Sequence, residues 1–233
     1  MASVLAVGVY MADRPNTAAH MIFALADSAD HAVTQRWIAL APGGRGRFDL
    51  PSTEMVVTKP TPKFVLLDGL TEDVLDFDWL LLCDDDVEVG AGFLDRIIAV
   101  SEKYDFALSQ PARTADSYID HPIVQVMPGL TARRTRFVEI GPVICMRRDA
   151  MRLLLPFGEA CGMGWGLDFV WPMRLERAGL HLGIVDTAPV MHRIRRPVAA
   201  YDWSGAHREM CQTLAGESYF TKDDAFTVLE AYS

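Results

Sequence analysis

Residues Phe77–Val87 read FDWLLLCDDDV, and this run decides the fold. A continuous apolar segment, Trp79–Cys83, breaks off into three carboxylates, Asp84, Asp85 and Asp86. An unbroken apolar run of this length marks a strand buried on both faces, as in a parallel sheet. Ligands of open α/β sheets bind at the carboxyl ends of the strands, which is where these acids fall. In an extended chain residues two apart face the same way, so Asp84 and Asp86 are expected to point together and Asp85 away. Such a pair either holds a cation, its hard oxygens favouring Mg2+, Mn2+ or Ca2+, or forms a solvated acidic turn capping the helix at Ala91.

Upstream, Ser3–Val9 is another fully apolar run, followed by a loop at Tyr10–Asn16. Thr17–Ala29 then carries apolar residues at helical spacing, with Asn16 or Thr17 able to cap it. Trp37–Ala41 and Glu54–Thr58 read as strands and Lys63–Leu75 as a helix; beyond the acids come an amphipathic helix, Ala91–Lys103, and a strand, Asp105–Ser109. Strand and helix in alternation predict an α/β fold around a mainly parallel sheet.

The second half reads differently. Arg113–Arg136 is polar and rich in turn residues, predicting a long irregular connection. Phe137–Met146 is a strand candidate, and Arg148–Leu155 a helix stopped by Pro156. Trp171–Ala178 reads as a helix with Pro172 in its first turn and Gly179 as a left-handed cap. Leu182–Asp186 is one more strand, and the tail beyond His192 mixes Arg, Trp and Tyr. The expectation is one domain over 1–233, with a nucleotide-binding half (1–112) and a loop-rich acceptor half with a C-terminal tail (113–233).

Composition narrows the class. Of 233 residues half are apolar, which excludes intrinsic disorder, and 31 acidic against 22 basic side chains give a formal charge of −9. That balance argues against a polymeric nucleic-acid partner, which is held through excess Lys and Arg. It leaves room for a small phosphorylated ligand on a local basic cluster. Four cysteines, Cys83, Cys145, Cys161 and Cys211, show no CxxC spacing. The first residues read as a strand rather than a signal peptide, and no apolar stretch reaches the roughly 20 residues of a membrane span, so a cytoplasmic location is expected.

Two further stretches carry chemistry. Gly162–Asp168 reads GMGWGLD: alternate glycines permit a tight backbone, Trp165 offers a flat apolar face, and Asp168 can accept a proton or simply cap a helix. Ile184–His192 reads IVDTAPVMH and is followed by Arg193, Arg195 and Arg196. His192 can complete a metal site and the arginines can neutralise a diphosphate; alternatively, the histidine is structural and the arginines form a solvated face.

The order of a strand with DxD (Asp84–Asp86), then GWGLD (Gly164–Asp168), then a distal histidine (Val190–His192) resembles the GT-A fold of nucleotide-sugar glycosyltransferases. A nearer likeness is to a plant and bacterial family of GT-A-like domains of unknown function. It is carried by Leu108–Ala112, Arg136–Ile140, Gly164–Phe169 and Gly183–Asp186, from about Lys63 to His192. The resemblance implies a GT-A-like (Rossmann-like) α/β fold and a metal-dependent, inverting glycosyltransferase that uses Mn2+ or Mg2+, a nucleotide-sugar donor and a hydroxyl acceptor. By the resemblance Asp84, Asp86 and His192 hold the metal. Val9, Tyr10, Met11, Arg14, Lys63, Asp84, Asp85, Arg193 and Arg195 face the donor. Gln110, Gly164, Trp165 and Gly166 face the acceptor, and Asp168 is the catalytic base. Many inverting members place Glu-Asp after the Trp-Gly pair, whereas this chain has Leu167-Asp168.

Other classes explain fewer of these residues. A dehalogenase-like phosphatase continues its DxD to Thr or Val two residues on, where Glu88 stands here. A nucleotidyltransferase is suggested by the glycine-rich basic loop Leu40–Arg47, but that signature follows the first strand rather than the second. A sugar- or metal-binding module without catalysis is the third alternative.

Overall fold

The computed structural model describes residues 1–158, 162–195 and 202–233. The first half contains β1 (Ala2–Met11), α1 (Ala18–Ala26), β2 (His31–Leu40), β3 (Thr53–Val57), α2 (Lys63–Leu70), β4 (Trp79–Cys83), β5 (Val87–Val89), α3 (Phe93–Lys103) and β6 (Phe106–Arg113). The second contains β7 (Ala132–Thr135), β8 (Val143–Arg147), α4 (Arg148–Leu154), α5 (Leu167–Arg177), β9 (His181–His192), α6 (Trp203–Gly216), α7 (Lys222–Ala225) and β10 (Val228–Tyr232).

The apolar runs form the centre of one twisted sheet, in the order β10-β7-β9-β6-β8-β4-β1-β2-β3, with β5 paired onto β9. On this path β7 and β8 run against the other strands, so the sheet is mainly parallel. Strand β4 shows why such a run needs two covered faces. Trp79, Leu81 and Cys83 pack into one core with α1 and α3, while Leu80 and Leu82 pack into a second with α2, α4 and α5. Each fully buried Leu contributes about 1.5–3 kcal/mol, which a solvated face would forfeit. The chain leaves β1 for β2 on one side, and β4 docks on the other. In open α/β sheets ligands bind beyond the carboxyl ends of the strands at such a reversal, here those of β1 and β4.

Several elements depart from their expected bounds. Of the Phe137–Met146 run only Val143–Met146 is strand, within β8. Ahead of it, Thr135 Oγ1 and Gln110 Oε1 take the Phe137 and Glu139 amides, and Pro142 has no amide to give a ladder. The connection Arg113–Arg136 is not wholly irregular, because it contains β7. Arg133 lies buried there, its guanidinium on Asp186 of β9 (2.9 and 3.0 Å) and on the Ile123 and Gln125 carbonyls. A charged residue inside a strand defeats hydropathy patterning. Helix α5 begins at Leu167 rather than Trp171, so Pro172 sits inside it and the helix forgoes one ladder bond there. Beyond His192, α6, α7 and β10 are regular elements.

Candidate functional site

The three acids stand just beyond β4, where the strand has ended at Cys83 and two-residue alternation no longer applies. The Asp84 amide donates to the Pro142 carbonyl (2.7 Å), and its carboxylate pairs with Lys63 at the start of α2. Asp85 is buried; it accepts the Met11 amide (2.7 Å) and pairs with the Arg195 guanidinium. Arg195 also reaches Asp86 (3.2 Å) and the Pro15 carbonyl (2.9 Å), so one cation spans two acids and the loop after β1.

Asp86 meets His192. The antiparallel register of β5 on β9 pairs Val87 with His192, which brings the imidazole Nε2 to 3.3 Å from Asp86 Oδ1. Burial pushes the Asp86 carboxyl up, but the His192 hydrogen bond and the charges of His192, Arg195 and Lys63 outweigh it and hold it below its ordinary value. Ser117 Oγ accepts the His192 amide (2.9 Å), the Tyr118 amide donates to the His192 carbonyl (2.8 Å), and the Tyr118 ring stands edge-on to the imidazole. The His192 Nδ1 is buried without a hydrogen-bond partner. Among the described residues no group of three or more His, Cys, Asp or Glu side chains is gathered as a metal cluster. Asp86 and His192 are together; Asp84 is turned to Lys63.

Of the expected donor residues, Met11 touches Asp85 through its amide, whereas the Tyr10 side chain is wholly buried and bonds Thr53 (2.9 Å). Val9 is half-buried against the second core, and Arg14 is partly exposed beside Asp13 (3.9 Å). Arg193 pairs with Asp116 and with Glu88 (3.3 Å). Arg196 and Cys161 lie outside the described residues. The glycine-rich loop after β2 leans on this mouth: a Cβ at Gly46 would stand 2.1 Å from the Ala12 carbonyl oxygen.

The glycine loop Gly162–Asp168 packs against the start of α2 and against α6. Gly164 (φ +79°) and Gly166 (φ +96°) adopt the left-handed region, and Gly166 is the N-cap of α5. Asp168 is therefore in the first turn rather than the cap. It is 7% exposed, its Oδ1 has no partner, and burial pushes its carboxyl up to about 7 against the first-turn backbone amides. Trp165 is half-buried and edge-on to Trp203 (6.2 Å between centroids), which is 54% exposed and stacked on His207 (5.1 Å).

Beside Asp84, through Gly141, lies a group of which the sequence reading found Gln110 but not Arg113 or Glu139. Gln110 and Arg113 are buried near the end of β6, and Gln110 Oε1 accepts the Glu139 amide. Arg113 Nη2 pairs with Glu139 and reaches the Gly141 carbonyl (3.3 Å), while its Nη1 takes the Tyr118 carbonyl (2.8 Å) and Asp120 (3.3 Å). Burial pushes Glu139 up to about 8; Arg113 opposes this, and the Asp120, Asp168 and Asp84 charges add to it. Asp84, Asp168 and Glu139 thus share one electrostatic neighbourhood. The signal in the sequence was a lone Glu inside the otherwise apolar FVEI of Phe137–Ile140.

No family model matches the chain, and no curated protein matches it. Solved structures do. A crystal structure of GalNAc-T7 with UDP, GalNAc and Mn2+ is similar at a TM-score of 0.57 and 10% identity, over 89% of this chain and 47% of that one. The crystal structure of a mycobacterial protein is similar at 0.56 and 13%, over 95% of this chain and 76% of that one. The chain spans about half the length of the GalNAc-T7 structure. At these identities the likeness is one of fold, and the fold is GT-A-like.

Proposed function

We propose that this protein is a metal-dependent glycosyltransferase that moves a sugar from a nucleoside-diphosphate donor to a hydroxyl acceptor with inversion. The observation that carries this reading is the Asp86–His192 pair at 3.3 Å, at the carboxyl edge of a GT-A-like sheet. The carboxylate suits Mn2+ or Mg2+ and the imidazole favours Mn2+ of the two; either cation keeps several positions for substrate phosphates and water. When bound, the cation would offset the charge that develops on the departing diphosphate. In this reading Asp84 holds Lys63 toward the same diphosphate instead of ligating. Arg195, and Arg193 beside it, exchange their acid partners for phosphate oxygens. Met11, Val9 and Arg14 line the nucleoside end.

On the acceptor side the turn at Gly164 and Gly166 carries Trp165 and Asp168 toward the acceptor. Asp168 takes the proton of the acceptor hydroxyl as that oxygen attacks the anomeric carbon. The bond to the diphosphate breaks with its electrons passing to the leaving oxygen. A carboxyl brought near 7 by burial suits a general base at neutral pH. On this assignment residues 1–112 supply the nucleoside end of the donor site, while 113–233 supply the acceptor side together with His192, Arg193 and Arg195 for the cation and diphosphate.

The test is calorimetric titration with UDP, GDP and ADP, with and without Mn2+, followed by donor hydrolysis across a panel of nucleotide sugars. Metal-dependent binding of one nucleotide class and turnover of its sugars is expected. Absence of nucleotide binding under both conditions defeats the reading.

A further inference from the structure

A histidine that holds a metal ordinarily gives its second ring nitrogen to a carboxylate, a carbonyl or water, which fixes the ring. His192 lacks that device. Its Nε2 faces Asp86 at 3.3 Å, and its Nδ1 is buried with no hydrogen-bond partner among the described residues. The imidazole has to be set through its own backbone.

Both main-chain groups of His192, the last residue of β9, go to one turn that follows β6. Its amide donates to Ser117 Oγ (2.9 Å), and its carbonyl accepts the Tyr118 amide (2.8 Å). Ser117 Oγ also donates toward the Val190 carbonyl (3.4 Å), so one hydroxyl spans the last three residues of the strand. The Tyr118 ring stands edge-on to the imidazole, at 6.3 Å between centroids and 88°, and limits the rotamers left to it.

The turn is itself tied down. The Thr114 amide donates to the Val190 carbonyl (3.0 Å), the Ser117 amide to the Thr114 carbonyl (3.0 Å), and the two hydroxyls of Thr114 and Ser117 meet at 2.9 Å. From the other side buried Arg113 gives Nη1 to the Tyr118 carbonyl (2.8 Å) and Nη2 to the Gly141 carbonyl (3.3 Å). Gly141 lies against the acids: a Cβ there would stand 2.9 Å from Asp84 Oδ2, and Pro142 takes the Asp84 amide (2.7 Å). One guanidinium thus joins the support of His192 to the support of the acidic turn.

We propose that Ser117 is a positioning residue of the cation site, whose hydroxyl holds the His192 backbone so that Nε2 is aimed at the cation beside Asp86. It rests on the metal-dependent glycosyl-transfer reading of the same site.

The experiment follows Mn2+ binding to the full chain by electron paramagnetic resonance, alone and with UDP, GDP or ADP. Imidazole coordination is read from the nitrogen modulation of the electron spin echo. Ser117→Thr keeps the hydroxyl as an acceptor, and Ser117→Val has the shape of the threonine without it. Wild type and Ser117→Thr are expected to bind Mn2+ alike, with a nitrogen modulation that His192→Ala abolishes. Ser117→Val is expected to bind Mn2+ about tenfold or more weakly and to lose most of that modulation. A merely structural role would lower the Tm of Ser117→Val and leave its Mn2+ affinity and modulation at wild-type values, which overturns the proposal. Mn2+ binding by wild type without the modulation, or no Mn2+ binding at all, also overturns it. Should Ser117→Val not fold by circular dichroism, Ser117→Ala against Ser117→Thr carries the same comparison. Nucleotide titration reports separately on the glycosyl-transfer reading: Mn2+ held by His192 without any nucleotide binding defeats that reading and keeps this one, and nucleotide binding without Mn2+ binding does the reverse.

Discussion

His192 Nε2 lies 3.3 Å from Asp86 Oδ1 because β5 pairs antiparallel with the last residues of β9. No local property of either residue requires this contact. It joins the chain just after its fourth strand to the chain near its end, and the candidate cation site exists only where they meet. His192→Ala is therefore expected to weaken Mn2+ binding by about tenfold or more, measured by electron paramagnetic resonance with UDP present. His192→Gln should recover part of that loss.

Arg195 neutralises two buried acids, Asp85 and Asp86. Arg195→Ala leaves Asp85 without its countercharge, and a loss of about 3–5 kcal/mol is expected in urea unfolding. Added Mn2+ should return part of that stability, since a divalent cation binds the folded state alone. A loss that Mn2+ does not touch would separate Arg195 from the cation site.

Asp168 sets the pH behaviour. Its folded value of about 7 lies above the ordinary 3.8, so the folded chain binds the proton more tightly than the unfolded one. The stability it contributes is complete below pH 3.8 and is lost as pH rises through 7. Asp168→Asn should therefore raise Tm at pH 8 by more than at pH 5, with a gain of about 1–3 kcal/mol at the higher pH. If Asp168 is the base, transfer by wild type should climb with pH through about 7, and Asp168→Asn should lose transfer at least a hundredfold.

Gly164 has no room for a side chain. A Cβ there would stand 2.3 Å from the Phe64 ring, in a backbone conformation at φ +79°. Gly164→Ala is expected to cost about 2–4 kcal/mol by thermal unfolding and to displace Trp165.

The Arg133–Asp186 pair makes the contrasting prediction. It is fully buried and joins β7 to β9 away from the acids. Asp186→Ala should destabilise by about 3–5 kcal/mol in urea while leaving nucleotide affinity unchanged at temperatures where it is folded.

Much of this architecture is legible locally. The apolar run at Trp79–Cys83 needs two covered faces, the acids that end it mark the ligand edge, and Gly179 adopts the left-handed region expected of a helix cap. These follow from patterns a few residues long, in which side-chain period and backbone preference act on neighbours. β7 was not legible, because Arg133 is apolar in effect only once Asp186 neutralises it. Asp84 could be placed at the edge but not assigned a partner, since Lys63 reaches it from another element.

The sequence alone determined the mainly parallel α/β core, the edge of the sheet where charge gathers and the residue types available there. The tertiary structure decided which of them meet: His192 with Asp86, Arg195 with two acids, and Glu139 with Arg113. The physical reason is range. Hydrophobic periodicity is set within a single element, whereas a buried charge is tolerable only beside its partner, and that partner is fixed by strand register across the whole chain.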